Sequence, residues 1–307
     1  MKSFTVATRA SRLALVQTES IIANLKRHWP GVEIVIKKIA TSGDQDRETP
    51  LWKLEQTGFF TTQIEAALLA NEADFAVHSF KDLPTCCSRG LAFTAVCQRQ
   101  YVEDALVAKG KMRSIFELPG GAKVGTASLR RRALIKYLRP DIETIMIRGN
   151  VETRIRKVDE GEVDAIVLAR AGLERLGLAG RISHIFDPLE FVPAPAQGAL
   201  AIETRCDDPD AIKLITALDD SRSRASALAE RKVLAIMEGG CHAPIGVYAQ
   251  MDGQNMTLHG FIADIDGKHC VKRSLKGTIE AWPSLAEQLA KELLAAGGAE
   301  ILKGLTF

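Results

Sequence analysis

Four short stretches of the sequence put cations and hydroxyls where a predicted strand ends and a helix begins. They are ATRAS, with Arg9 and Ser11; HSFKDLP, with Lys81 and Asp82; VGTASLRR, with Thr126, Ser128, Arg130 and Arg131; and IRGNVETR, with Arg148, Asn150 and Arg154. Guanidinium groups pair with carboxylate or phosphate through two parallel hydrogen bonds, and the free N–H groups of a helix N-terminus favour anions. The set predicts a site for a compound with several negative charges.

Each of these stretches also has an ordinary interpretation. A serine before a helix is normally a cap, and Arg130 to Arg132 alone would be typical of a solvated helix face. Their recurrence at strand ends, where α/β sheets bind ligands, favours the binding site. The chain has neither a Walker lysine loop nor a GxGxxG stretch, which disfavours a nucleotide. Its arginines are not interleaved with aromatics, which disfavours single-stranded nucleic acid.

Two further residues could carry chemistry of their own. Asp82 is an acid among cations, so it either pairs with Lys81 or stabilises a positive charge that forms during a reaction. Cys241, in EGGCHAPIG, follows two glycines. Taken alone, it would be a small buried apolar residue.

Composition limits the class of protein. The chain has 307 residues, 46% of them hydrophobic, with a net charge of +2, which is typical of a globular protein of two or three domains. No apolar run is long enough for a membrane span, and MKSFTVATRAS lacks a signal-peptide core. The six cysteines show no CxxC pair, which favours reduced thiols and a cytoplasmic location. His78, His242 and His269 lack zinc-ligand spacing, so we expect no metal.

The elements that would hold these residues alternate along most of the chain. We predict strands at 4–7, 32–39, 75–79, 123–126, 144–147, 165–168 and 199–203, and helices at 11–26, 60–70, 129–138, 151–160 and 171–176. Such alternation indicates α/β units. After a helix at 223–237, strands at 247–250, 256–262 and 269–277 with Asp-Gly turns indicate an antiparallel meander, closed by a helix at 283–296.

In this order, the motifs resemble those of the porphobilinogen deaminase (hydroxymethylbilane synthase) family. The matching stretches are ATRASRLAL, TSGD, ADFAVHSFKDLP, GTASLRRR, IRGNVETRIRK, DAIVLARAGLERLGL, PAPAQGALAIE and EGGCHAPIG. They cover roughly residues 4–250 and together are highly specific.

The resemblance implies three domains. Two are α/β lobes like those of periplasmic binding proteins, with a cleft between them; a small α+β domain follows. The expected boundaries are 1–98 with 198–218 for the first, 99–197 for the second and 219–307 for the third. A monomer is expected.

The resemblance also implies the chemistry. Cys241 matches the cysteine that holds a dipyrromethane cofactor by a thioether. Porphobilinogen loses ammonia to give an azafulvene, which the free α-carbon of the growing chain attacks. Four additions and a hydrolysis release hydroxymethylbilane. Asp82 matches the catalytic aspartate, which would contact pyrrole N–H groups and stabilise positive charge.

Every pyrrole ring carries an acetate and a propionate, which explains the cations that the resemblance assigns to binding. The expected cofactor ligands beside Cys241 are Lys81, Ser128, Arg130, Arg131 and Gly198. The expected substrate ligands are Arg9, Ser11, Thr126, Arg148, Arg154, Arg175 and Gln197.

The chain departs from the family pattern in two places. Thr57 and Thr62 stand where lysines are common, and Gln63 where glutamate is common; CQRQYVEDAL differs at Tyr101, Val102 and Glu103. The simpler interpretation is that these residues drifted in this lineage while the function was retained. The alternative is that the protein binds the cofactor or the growing pyrrole chain differently. A non-catalytic small-anion binding protein of the same two-lobe architecture is the alternative function, and the GGC stretch and third domain disfavour it.

Overall fold

The computed structural model describes residues 3–41, 61–110, 112–237 and 243–305. The strands are β1 (Ser3–Arg9), β2 (Glu33–Ile39), β3 (Phe75–Ser79), β4 (Leu91–Val96), β5 (Asp104–Ala108), β6 (Lys123–Gly125), β7 (Glu143–Ile145), β8 (Ala165–Ala169), β9 (His184–Ile185), β10 (Leu200–Arg205), β11 (Ile245–Asp252), β12 (Asn255–Ala263) and β13 (Cys270–Thr278). The helices are α1 (Arg12–His28), α2 (Thr62–Leu69), α3 (Leu129–Leu138), α4 (Val151–Asp159), α5 (Arg170–Arg175), α6 (Pro209–Thr216), α7 (Ser221–Ile236), α8 (Trp282–Leu293) and α9 (Ala299–Lys303).

The described chain divides into two compact units. The first holds residues up to 100 and then 198–224, and the second holds 101–197 together with the residues from 225 onward. The second unit contains both an α/β lobe and the small C-terminal sheet. No helix of the described residues is long and apolar enough to cross a bilayer.

The first unit is built on a sheet with the order β2-β1-β3-β10-β4. β1 is parallel to β2 and β3, whereas β10 lies antiparallel between β3 and β4. β3 is almost wholly buried, as its run of apolar residues predicts. One buried cluster of this unit contains Phe4, Phe75 and Ile202 of the sheet together with Ile21 and Leu25 of α1.

The lobe of the second unit repeats this plan with the order β7-β6-β8-β5-β9. β6 is parallel to β7 and β8, and β5 runs antiparallel to β8 and β9. The C-terminal sheet is the predicted meander, β11-β12-β13. α8 packs against it through Leu285, Leu289 and Leu293.

The C-terminal sheet and the lobe of the second unit share one core. Phe261 and Ala263 of β12 lie in the same buried cluster as Leu106 and Val124 of the lobe. The turn between β12 and β13 packs on α3 at Gly267, which has a φ of 67°. A Cβ at that glycine would lie 2.5 Å from the backbone nitrogen of Tyr137, so only glycine fits.

The predicted fold class, two α/β lobes and a small α+β domain, is confirmed. Five of the strands and helices were not predicted from the sequence: β4, β5, β9, α6 and α9. β4 and β5 are short strands whose antiparallel neighbours, β10 and β8, are distant in the chain.

Candidate active site

Four predicted site residues of the first unit lie at one edge of its sheet. β1 ends at Arg9 and β3 ends at Ser79, and the two strands are parallel neighbours. Their carboxyl ends therefore meet at the same edge. Arg9 and the cap of α1, Ser11, follow β1, while Lys81 and Asp82 lie in a helical turn that follows β3.

The turn that carries Asp82 is held by the contacts of its buried first residue, Phe80. Phe80 is fully buried, its ring meets Phe93 edge-on at 5.1 Å, and its N–H donates to the carbonyl of Ala199. Asp82 itself is exposed, and its carboxylate makes no hydrogen bond or ion pair with a described residue. A fixed backbone thus presents an acidic group that is available to a ligand.

A second polar contact at this edge was not predicted from the sequence. Gln17 of α1, only 4% exposed, donates from Nε2 to Ser79 Oγ at 3.0 Å. The contact ties α1 to the end of β3, two residues before Lys81. A glutamine inside a helix has no distinguishing spacing, so the sequence carried no signal for it.

The next predicted site residues lie at strand ends of the second unit. Thr126 follows β6, and its Oγ1 accepts from the N–H of Ser128 at 3.2 Å. Ser128 caps α3, and Asn150 caps α4 by accepting from the N–H of Thr153 at 2.8 Å. Because β6 and β7 are parallel neighbours, these two helix N-termini begin at the same edge of the sheet.

Three further predicted ligands of this unit are arginines that are partly buried. Arg148 lies between β7 and α4, and Arg154 donates from Nε to the carbonyl of Gly149 at 2.8 Å. Arg175 is the last residue of α5, away from the strand end at which that helix begins. Arg148 and Arg154 therefore share the edge with Ser128, whereas Arg175 is placed farther along its helix.

Arg130 and Arg131 are buried around one acid, Asp104, the first residue of β5. Arg131 donates to Asp104 Oδ1 from Nε at 3.0 Å and from Nη2 at 2.7 Å. Arg130 Nη2 lies 2.8 Å from Oδ2, and its Nη1 donates to the carbonyl of Val192 at 2.7 Å. Two guanidinium groups share one carboxylate, which leaves one positive charge at the start of α3.

Burial changes the pKa of one arginine of this cluster. Desolvation lowers the pKa of Arg130 below its ordinary value, Arg131 lowers it further, and Asp104 opposes both. An additional negative charge at this position would be stabilising. The sequence analysis assigned no role to Asp104, because an acid in VEDAL looks like a surface charge.

Gln197 belongs to the same cluster. Its Nε2 donates to Asp104 Oδ1 at 3.1 Å and to the carbonyl of Val102 at 2.8 Å. The preceding residue, Ala196, has a φ of 60°, and its N–H donates to the buried carboxylate of Glu230 at 2.6 Å. Gly198 follows with a φ of 87°. Gln197 therefore supports the cluster from a tightly held turn.

Cys241 and Thr57 lie outside the described residues. The nearest described elements to Cys241 are α7, which ends at Ile236, and β11, which begins at Ile245. Thr62, the other departure from a lysine, is exposed at the start of α2. Among the described residues, no group of three His, Cys, Asp or Glu side chains has the arrangement of a metal site.

Comparison with known proteins identifies the family. Residues 4–213 match the family model "porphobilinogen deaminase, dipyromethane cofactor binding domain", and residues 225–295 match the model of the C-terminal domain of the same enzyme. The first description confirms the prediction of a dipyrromethane cofactor.

Full-length relatives and distant structures complete the comparison. A porphobilinogen deaminase of Desulforudis audaxviator is 44% identical over 97% of this chain and 96% of that protein, and one of Deinococcus radiodurans is 40% identical over 99% of both. A probable amino-acid extracellular-binding protein of Bacillus subtilis is 14% identical, with a TM-score of 0.41 over 69% of this chain and 89% of its own, a likeness too distant to indicate a ligand. Identities of 40% and more along nearly the whole of both chains mean that this protein belongs to the porphobilinogen deaminase family.

Proposed function

We propose that this chain joins four porphobilinogen molecules head to tail on a dipyrromethane primer, releasing one ammonia for each, and then hydrolyses off the linear tetrapyrrole hydroxymethylbilane. The observation that carries the proposal is the buried cluster of Arg130, Arg131 and Asp104, with its excess positive charge. A primer of two pyrrole rings carries acetate and propionate groups that match such a charge.

The residues present fit this cofactor. Nε of Arg130 is a buried donor without a hydrogen-bond partner among the described residues. Such an orphaned donor is costly unless a ligand satisfies it. A carboxylate of the cofactor would both accept from this group and neutralise the remaining charge of the cluster.

The proposed cofactor ligands are Lys81, Ser128, Arg130, Arg131 and Gly198, with Cys241 as the covalent attachment. When bound, the cofactor supplies the electron-rich ring carbon to which the first substrate unit is joined. Gly198 has a φ of 87°, a backbone conformation that glycine adopts without the strain that a side chain would bring.

The proposed substrate ligands fall into two groups. Arg9, Ser11, Arg148, Arg154 and Arg175 would bind the acetate and propionate groups. Thr126 and Gln197 are buried and already bonded to Ser128 and to Asp104. Their proposed part is to hold the neighbouring ligands in place.

Asp82 is the proposed catalytic residue. Its exposed carboxylate can accept hydrogen bonds from pyrrole N–H groups and stabilise the positive charge that develops as ammonia leaves. The anchored turn at Phe80 fixes where that negative charge lies. A charge that need not reorganise is the more effective stabiliser.

The mass of the intact protein tests the proposal. After incubation with porphobilinogen, the denatured protein should carry an adduct of two linked pyrrole units, and Cys241→Ser should carry none. Cys206→Ser, which removes an exposed cysteine of the first unit, is the matched control and should keep the adduct. Wild-type protein that stays unmodified would contradict the function.

Location and assembly are part of the same proposal. Reduced cysteines among the described residues are compatible with the cytoplasm, and we propose a monomer there. The alternative of a non-catalytic anion-binding protein has no observation in its favour.

A further inference from the structure

Two strained residues mark the points where the chain passes between its units. Tyr101 has a φ of 56° and Ala196 one of 60°, and they are two of the three described non-glycine residues with positive φ. Tyr101 is the first residue of the second unit, and Ala196 lies two residues before the chain returns to the first. Such backbone persists only where surrounding contacts determine it.

The ring of Tyr101 contacts Arg170, the first residue of α5, which also pairs with two glutamates. The guanidinium carbon of Arg170 lies 4.5 Å from the centre of the Tyr101 ring, as in a cation–π contact. Its Nη1 lies 3.3 Å from Glu103 Oε1, and its Nε donates to Glu174 Oε1 at 3.0 Å. We call these four residues the Arg170 clamp.

The backbone of Arg170 and Glu103 extends the pairing of β5 with β8, next to the acid that holds the buried arginines. The N–H of Arg170 donates to the carbonyl of Glu103 at 3.0 Å, and the next pair along the two strands is Asp104 opposite Ala169. Asp104 is the acid that holds Arg130 and Arg131. One peptide unit therefore separates the clamp from the anion that fixes both guanidinium groups.

We propose that the Arg170 clamp positions Asp104, and through it Arg130 and Arg131, for binding the carboxylates of the cofactor. Tyr101 and Arg170 are positioning residues, since neither is needed to touch the cofactor. This inference rests on the proposed function.

The test is the rate at which cofactor-free protein acquires its adduct. The full chain, produced in a host that makes no porphobilinogen, is incubated with that substrate and followed by intact mass. Tyr101→Ala keeps the strained backbone but loses the ring, so loading should slow about threefold, the equivalent of one cation–π contact. Tyr101→Phe keeps the ring and should load at the wild-type rate. Arg170→Gln should load about tenfold more slowly, since it loses the ring contact and two ion pairs.

A double variant separates coupling from general damage. Tyr101→Ala combined with Arg170→Gln should load no more slowly than Arg170→Gln alone, because both changes remove the same contact. Arg181→Gln, which breaks an exposed ion pair with Asp159 in the same lobe, is the matched control and should load normally. If Arg170→Gln does not fold, the comparison of Tyr101→Ala with Tyr101→Phe still decides.

Two outcomes count against the clamp. One is loading of Tyr101→Ala at the wild-type rate, and a lowered melting temperature beside it would show a role in stability alone. The other is equal slowing by Tyr101→Phe. Wild-type protein that acquires no adduct defeats the proposed function, and the clamp proposal with it.

Discussion

Arg131 donates two hydrogen bonds to a single oxygen of Asp104, from Nε at 3.0 Å and from Nη2 at 2.7 Å. Arg130 occupies the other oxygen, and all three side chains are buried. The two guanidinium groups that the sequence assigned to a ligand are thus first held by the protein. Their positions are set before any cofactor arrives, and the excess charge remains for it.

Replacing Asp104 by asparagine should destabilise the fold strongly. It leaves two buried guanidinium groups without a counter-charge, which costs about 3–5 kcal/mol in comparable buried pairs. Urea unfolding measures the loss, and intact mass should show a poorly loaded protein. Asp159→Asn breaks the exposed pair with Arg181 and should leave the unfolding midpoint unchanged. A stable Asp104→Asn would mean that the cluster is not charged as described.

The turn at Ala196 should tolerate glycine and reject valine. Glycine relieves about 1–2 kcal/mol of left-handed strain. It also loses a buried methyl group worth about 0.8 kcal/mol and adds about 0.4–1 kcal/mol of chain entropy to the unfolded state. Ala196→Gly should therefore stay within about 1 kcal/mol of wild type. Ala196→Val places a β-branched residue at a φ of 60° in a buried site and should cost about 3 kcal/mol by urea unfolding. Equal stability of the two variants would refute the strain.

Glu230 should not be replaceable by its amide. Its two oxygens accept from the N–H groups of Ala196 at 2.6 Å and of Ala249 at 2.8 Å. A glutamine would face one of those donors with its own NH2 group, and the cost should be about 2–3 kcal/mol in unfolding free energy. Glu160→Gln, in an exposed pair with Arg156 3.6 Å away, is the control and should show no change. A neutral Glu230→Gln would mean that only one of the two contacts matters.

Acidification should weaken the C-terminal domain through His259. Burial lowers the pKa of His259 below its ordinary 6.5, because desolvation disfavours the charged form of the ring. The two ring nitrogens lie 2.8 Å from Ser274 Oγ and 3.3 Å from Gln250 Oε1. The unfolded chain then binds the proton more tightly than the folded one. Stability is therefore full above pH 6.5 and is lost as the pH falls toward the lower folded pKa. The melting temperature of His259→Gln should fall less steeply over this range than that of wild type, and parallel curves would exclude His259 as the cause.

Asp82→Asn should lower turnover without preventing folding or attachment of the cofactor. The variant keeps the shape of the exposed side chain but loses its charge, so it should fold and acquire the cofactor while turnover falls about 100-fold or more. Single-turnover rates with porphobilinogen measure the loss. Asp207→Asn, another exposed acid of the first unit, is the control. Near-normal turnover would refute the role of Asp82.

The sequence predicted those elements whose pattern is local. The bounds of β3 and α3 agree with the prediction, because a buried apolar run and a serine cap each leave a clear signal. β5 was missed because its membership depends on partners distant in the chain, at β8 and β9. Its five residues, DALVA, are all buried, and so short a buried stretch shows no periodicity of its own.

The site was predicted less evenly. Strand-end residues such as Ser128 and Asp82 were found because a strand followed by a helix places them at an edge. Asp104 and Glu230 are charged residues whose burial depends on tertiary contacts, and a charge in a sequence looks exposed. The tight cluster around Asp104 could therefore be described only once the strands were paired.

The order of the sheets has a consequence for synthesis on the ribosome. The first lobe needs β10 between β3 and β4, so its sheet cannot close until residue 205 has been made. The second lobe shares its core with Phe261 and Ala263, which emerge later still. Neither lobe can finish folding from its own first segment, so both remain incomplete until late in translation. Strand edges of the nascent chain therefore stay unpaired for most of its elongation, and such edges are prone to aggregate.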